Sequence, residues 1–168
     1  MTRNLKAILS AIALTIVLSV TASAQQDFTF TTLDGQSLSL AAQRGKVVVL
    51  LFSGTQDPQC RDAMQSLASL AERYQGKPVS IYWVSVNSPA EASNEQLRQA
   101  CGPVGSVVVA RDANQAAFKQ YGGKRPQLPT VIVLNQQGQA QGQPRGGFNP
   151  NSDFVNDLAA VVDSLLAK

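Results

Sequence analysis

The 168-residue chain contains no histidine, two cysteines and one tryptophan. Without histidine there can be no histidine metal site, no histidine-ligated haem and no serine or cysteine activated by an imidazole. Charge is also sparse, with 14 basic and 11 acidic residues making up 15% of the chain. No basic stripe is present that could follow a phosphate backbone, so nucleic acid is not an expected partner. No internal repeat or low-complexity linker divides the sequence.

The chain opens with a leader pattern. Arg3 and Lys6 precede an apolar run from Ala7 to Val20 broken only by Ser and Thr, and Ala22-Ser23-Ala24 has the form of a signal-peptidase site. The apolar run falls short of the roughly 20 residues needed to span a bilayer. Residues 1–24 are expected to be a cleaved signal peptide that leaves no stable membrane anchor. Residues 25–168 are then a single exported domain. The periplasm is the expected compartment, with the thylakoid lumen or the extracellular space as alternatives. Loss of Arg3 and Lys6 leaves 12 basic against 11 acidic residues, a net charge of +1. An oxidising compartment would permit a disulfide between Cys60 and Cys101 if the fold let them meet.

The apolar pattern predicts an α/β domain. Asp27 to Leu40 alternates around Asp34-Gly35, a hairpin signal. Lys46 to Phe52 is a continuous Val/Leu run, expected to be a strand buried on both faces. Pro58 to Tyr74 has helical spacing through Met64, Leu67, Ala68 and Ala71, and Gly76-Lys77-Pro78 ends it. Val79 to Val86 is a second buried strand containing Trp83. A helix is expected from about Ala90 to Ala100, a strand over Ser106–Ala110 and a short helix over Asn114–Tyr121. Further strands are expected over Thr130–Leu134 and, as its hairpin partner, Gln139–Gln143. Pro150 to Leu166 is the last helix, with Phe154, Leu158, Val161, Val162 and Leu165 on one face and Asn149 or Asn151 as its cap. This order predicts helices covering a central mixed sheet.

Four short motifs fall in order at sensible spacing. Phe52-Ser53-Gly54-Thr55-Gln56-Asp57-Pro58-Gln59-Cys60-Arg61-Asp62-Ala63-Met64 joins the first buried strand to a helix. Leu128-Pro129-Thr130 precedes a later strand, Gly138 sits in the following turn, and Gly146-Gly147-Phe148 precedes the last helix. Together they resemble the thioredoxin superfamily, in its branch of exported thiol-disulfide oxidoreductases and peroxiredoxin-like proteins. The resemblance runs from about Asp27 to the C-terminus. It implies a thioredoxin-like fold with an amino-terminal β-hairpin, no cofactor, and protein thiols or a peroxide as reaction partners. In the family motif C-x-x-C, Cys60 matches the second cysteine and Asp57 stands at the position of the first. Leu128-Pro129 resembles the family's cis-proline loop, so Pro58, Arg61, Leu128, Pro129 and Thr130 are the expected substrate groove. Ala100-Cys101-Gly102 and Tyr121-Gly122 also resemble thiol peroxidases, which implies a resolving role for Cys101. The arginine of those enzymes has no direct counterpart, and Arg125 and Arg145 are the nearest substitutes.

Asp57 changes the chemistry that the motif can perform. Asp is among the preferred N-cap residues and Pro suits the first helical position, so Asp57-Pro58 is a good helix start. It cannot form a disulfide, which excludes dithiol exchange through positions 57 and 60 alone. Cys60, expected in the third helical position, feels two opposing influences. The helix dipole favours its thiolate, and the Asp57 carboxylate disfavours it. If the carboxylate prevails, Cys60 is an inert thiol. If Arg61, Arg125 or Arg145 offsets it, Cys60 can react with peroxide. Cys101, at the far end of the next helix, is expected too distant from Cys60 for direct pairing. Two functions therefore stand side by side. One is an exported redox protein, oxidoreductase or peroxidase-like, with Cys60 and Asp57 as catalytic residues. The other is an inactive thioredoxin-fold module that binds a protein client.

Overall fold

The computed structural model describes residues 27–101, 105–123, 127–146 and 153–168, with Cys101 described by its backbone. The leader pattern, Arg125, the Gly147-Phe148 step, Asn149 and Asn151 lie outside the described residues.

The amino-terminal hairpin forms as expected, β1 (Thr29–Thr32) pairing antiparallel with β2 (Ser37–Ser39). Gly35 takes φ +80 in its turn, a left-handed conformation that glycine adopts without steric cost. A 3₁₀ turn (Ala41–Gln43) leads into β3 (Val47–Ser53), in which every residue is buried. Helix α1 (Cys60–Arg73) returns the chain to β4 (Val79–Ser85), which lies parallel to β3. Helix α2 (Asn94–Cys101) leads to β5 (Val108–Arg111), parallel to β4. Then follow α3 (Ala116–Tyr121), β6 (Thr130–Leu134), β7 (Arg145–Gly146) and α4 (Phe154–Leu166). The seven strands form one mixed sheet in the order β2-β1-β5-β4-β3-β6-β7.

The side-chain alternation of β3 divides the core. Val47, Val49 and Leu51 face a layer that includes Met64, Leu67 and Leu70 of α1 and Leu158, Val162 and Leu165 of α4. Val48, Leu50 and Phe52 face Phe28, Phe30 and Phe118 on the other side. Each such buried side chain contributes about 1.5–3 kcal/mol of transfer free energy. At the far end of α1, the Tyr74 hydroxyl donates to the Ala159 carbonyl and to Asp163 Oδ1, at 2.9 and 2.8 Å, tying α1 to α4.

Several expectations about element bounds are corrected. The strand predicted over Gln139–Gln143 is absent, and only an isolated bridge joins Leu134 to Ala140. Asn135 Oδ1 accepts from the Gln137 and Gln139 amides and closes a tight turn, while Gly142 takes φ +71 and diverts the chain. The edge strand is β7, paired with Thr130 and Val131. Helix α2 starts at Asn94, not near Ala90. Ser93 and Gln96 form a reciprocal capping box, Gln96 Oε1 accepting from the Ser93 amide and Ser93 Oγ from the Gln96 amide, at 2.8 and 3.1 Å. Helix α1 starts at Cys60, which is its first residue and not its third. The last helix begins at Phe154, preceded by Asp153.

Candidate functional site

The carboxyl ends of β3 and β4 and the loop before β6 converge at the start of α1. Ser53, the last residue of β3, donates its hydroxyl to Asp57 Oδ2 at 2.9 Å. Asp57 Oδ1 accepts the Gln59 amide at 3.0 Å, and the Asp57 carbonyl accepts the Cys60 amide at 3.2 Å. The carboxylate satisfies an amide of the tight turn before the helix. The expectation that Asp57 is the N-cap is corrected. Gln59 occupies that position and makes no side-chain cap bond, because the turn from Asp57 to Cys60 precedes the first helical residue.

Cys60 is 2% exposed and packs in the same core layer as Ala63, Met64 and the fully buried Trp83. Its sulfur is engaged in a disulfide. The expectation of a lone thiol at this position is thus corrected. The backbone of Cys101 ends α2.

The Leu128-Pro129 peptide is cis, as the resemblance implies. Leu128 is exposed, whereas Pro129 and Thr130 are buried. The Thr130 hydroxyl donates to the Gln127 carbonyl and fixes the loop to the start of β6. Between this loop and Asp57 lies an open cleft of about 450 Å³, whose lining includes Gln56, Asp57, Pro58, Asn87, Glu91 and Leu128. Of the residues expected to line a groove, Pro58 and Leu128 do so. Arg61 is exposed on α1, and Arg61, Pro129, Thr130 and Cys60 are not among the residues lining this cleft. Arg145 is exposed on β7.

The part of the cleft wall formed by Asn87 and Glu91 was missed from the sequence. Asn87 Oδ1 accepts the Thr55 amide at 2.9 Å, linking the loop after β4 to the loop after β3. Arg111, buried at the end of β5, donates to the carbonyls of Asn87 and Ala92 and to Asn94 Oδ1, at 2.7, 3.0 and 2.8 Å. Burial lowers its pKa, and none of the described ion pairs involves it. Glu91 Oε2 accepts the Ser88 amide at 2.7 Å, which holds its carboxyl below the usual range. The Ser88-x-x-Glu91 spacing of a capping box was a legible signal for this turn. Next to Arg111, burial pushes the Asp112 carboxyl up, while the amides of Phe118, Ala116 and Ala117 oppose the shift.

The strand order, the cis-proline loop facing a strand-to-helix junction and the amino-terminal hairpin define a thioredoxin-like protein. Residues 20–161 match the Redoxin family, and the chain belongs to it. The chain is 31% identical over 122 residues to the thiol-disulfide oxidoreductase ResA of Halalkalibacterium halodurans. That match spans 73% of this chain and 66%, just under two thirds, of the relative. Among solved structures, the fold is similar to the exposed lipoprotein thioredoxin Etrx1 of Streptococcus pneumoniae, with a TM-score of 0.68 and 17% identity over 83% of this chain and all of the other. It is also similar to a thiol:disulfide interchange protein of Chlorobium tepidum, with a TM-score of 0.65 and 20% identity over 83% and 93% of the two chains.

Proposed function

We propose that the protein is an exported thiol redox protein that exchanges electrons with protein dithiols through a disulfide between Cys60 and Cys101. The observation that carries this reading is that Cys60 is disulfide-bonded although the residue three positions earlier is Asp57. The sequence offers one other cysteine, Cys101. Membership of the Redoxin family and the similarity to ResA support the class of chemistry. The leader pattern at residues 1–24 and the oxidising conditions that a stable disulfide needs support export.

The exchange balances without a cofactor. A thiolate of the partner attacks one sulfur of the Cys60–Cys101 disulfide and forms a mixed disulfide, releasing the other sulfur as a thiolate. The partner's second thiolate then attacks the mixed disulfide. The partner leaves oxidised by two electrons, and Cys60 and Cys101 remain as the reduced pair. In this scheme Asp57 holds the turn that carries Cys60 and sets the local charge, and no sulfur is required at its position.

The test is to purify the chain lacking residues 1–24 under air, and to measure intact mass and thiol content before and after reduction. The expected result is a gain of two hydrogens, two alkylatable thiols and a Cys60–Cys101 cross-linked peptide that disappears on reduction. Equilibration with glutathione buffers should give a single two-electron midpoint. A protein that carries no intramolecular disulfide, or one whose disulfide does not exchange with thiols, overturns the reading in favour of a client-binding module. Adding peroxide to the reduced protein separates a peroxidase from a dithiol exchanger. Rapid stoichiometric re-oxidation through a Cys60 sulfenic acid identifies the former.

A further inference from the structure

The cleft beside Asp57 is unequal in charge. Asp57 and Glu91 both line it, and among the described residues that line it there is no lysine or arginine. Hydrogen bonds from Ser88 keep the Glu91 carboxyl in its ionised form. Each Asp57 oxygen accepts one hydrogen bond, from a hydroxyl or an amide, which leaves acceptor capacity on both. Neither carboxylate takes part in a described ion pair. The nearby cation Arg111 directs its donors at the Asn87 and Ala92 carbonyls and the Asn94 side chain, behind the cleft wall.

The remaining lining is apolar or uncharged. Leu128, 39% exposed, is one of only two large hydrophobic side chains that the described residues leave open to solvent. Pro58 lies in the same cleft. A half-buried carboxylate that has no counter-ion among the described residues, in one cleft with an exposed leucine, complements a ligand that is cationic at one point and apolar beside it. A metal ion would use the carboxylates and waste the apolar surface, and no group of three or more potential metal ligands occurs among the described residues. An acidic segment would place like charges together in a partly desolvated cleft.

We infer that this cleft recognises the extended segment of a partner protein in which a lysine or arginine side chain reaches Asp57 and Glu91 while an apolar neighbour packs on Leu128. The inference rests on the reading of the protein as one that acts on protein thiols, because it names the class of protein segment presented to it. It assigns position 57 a recognition role. The carboxylate selects partners by charge, and the chemistry is carried by sulfur elsewhere.

The test separates recognition from redox chemistry by using peptides without cysteine. Two ten-residue peptides of Ser, Gly and one Leu, differing only in a central Lys or Glu, are titrated into the oxidised protein and followed by amide chemical shifts. The expected result is shifts confined to residues 54–58, 87–91 and 127–128, with the Lys peptide binding about 5- to 10-fold more tightly at low salt, the range that one or two exposed ion pairs supply. The preference should shrink as ionic strength rises. It should fall to less than twofold in the Asp57→Asn, Glu91→Gln double variant, and Glu91→Gln alone should remove part of it if the Asp57 change disturbs α1. Equal binding of the two peptides, shifts elsewhere on the surface, or self-association of the protein that buries Leu128 overturns the inference. A protein that exchanges thiols but shows no charge preference loses this inference and keeps the redox reading. A protein with the preference but no exchange loses the redox reading alone.

Discussion

Arg111 and Asn87, 24 residues apart in sequence, are joined by a 2.7 Å hydrogen bond from the guanidinium to the asparagine carbonyl. The asparagine side chain in turn accepts the Thr55 amide, so a buried cation at the end of β5 holds the loop that precedes Asp57. Arg111→Met leaves the Asn87 and Ala92 carbonyls without their donor. The expected loss is about 2–4 kcal/mol of folding stability, as for other buried hydrogen-bond networks that lose one partner. Urea denaturation measures it, and the Thr55 amide should exchange with solvent faster than in the wild type. Arg111→Lys should recover only part of the loss, because one ammonium cannot reproduce a planar fork that reaches three oxygens.

Asp57→Ala removes the oxygen that satisfies the Gln59 amide. The expected cost is about 1 kcal/mol, typical of a lost hydrogen bond. A fall of a few degrees in Tm with an unchanged circular dichroism spectrum would match. No change in Tm would mean that the Asp57 carboxylate contributes nothing to the start of α1.

The register of the strand–turn–helix junction can be tested with a new sulfur. In an Asp57→Cys, Cys101→Ser double variant, Cys60 has one possible partner, three residues away. Oxidation should close that pair with a loss of two mass units under non-reducing conditions. Persistent thiols after treatment with oxidised glutathione would show that positions 57 and 60 do not face each other as the backbone indicates.

Tyr74 titrates late. Its pKa is pushed up to about 12, first by burial and then by its hydrogen bond to Asp163. A raised pKa in the folded state means that the neutral phenol is the stabilising form. Its contribution is complete below pH 10 and disappears as pH climbs from 10 through 12. Tyr74→Phe should cost about 1 kcal/mol at pH 7, and the gap between variant and wild type should close over that window. Denaturant midpoints at pH 7 and pH 11.5 provide the comparison.

Reduction should weaken the fold and be visible from Trp83. A Cys60–Cys101 bond would close a loop of about 40 residues, worth about 4 kcal/mol from the entropy of the closed loop. Trp83 is the only tryptophan, is fully buried in the same core layer as Cys60, and its indole N–H has no hydrogen-bond partner among the described residues. Its emission should be that of a buried indole and should brighten when the nearby disulfide is reduced. A spectrum unchanged by reduction would place the sulfurs away from this part of the core.

Elements governed by local pattern were legible from sequence. The Val47–Phe52 run, the Asp34-Gly35 hairpin and the Thr130–Leu134 strand are where their local pattern predicts, the two apolar runs buried on both faces and the hairpin set by its turn. Asp57 was legible as a local hydrogen-bond acceptor, since its partner is two residues away, but the cap position itself falls on Gln59. What was not legible depends on contacts between distant segments. Nothing in a Val-rich stretch announces that Arg111 will be buried against the loop from Asn87 to Asn94. The start of α2 was misplaced because two Ser-x-x-Glu/Gln spacings, Ser88–Glu91 and Ser93–Gln96, compete for it, and only the second closes as a reciprocal capping box. The disulfide at Cys60 was missed because the position three residues earlier is Asp57 and nothing local to the motif supplies a second sulfur.

The place of β1 in the sheet carries a consequence for the order of assembly. Thr31 pairs with Arg111 and Thr32 with Ala110, so the first described strand finds its inner neighbour only after some 80 residues have intervened. Until β5 arrives, the hairpin has one bare edge and β4 has another. A chain cut after α2 would keep β3 and β4 paired yet leave open the inner edge of β1, the β5 side of β4 and the β6 side of β3, surfaces that invite intermolecular pairing. The molecule is therefore not divisible at its midpoint. Its amino-terminal half is a set of parts that the fifth strand makes into a sheet.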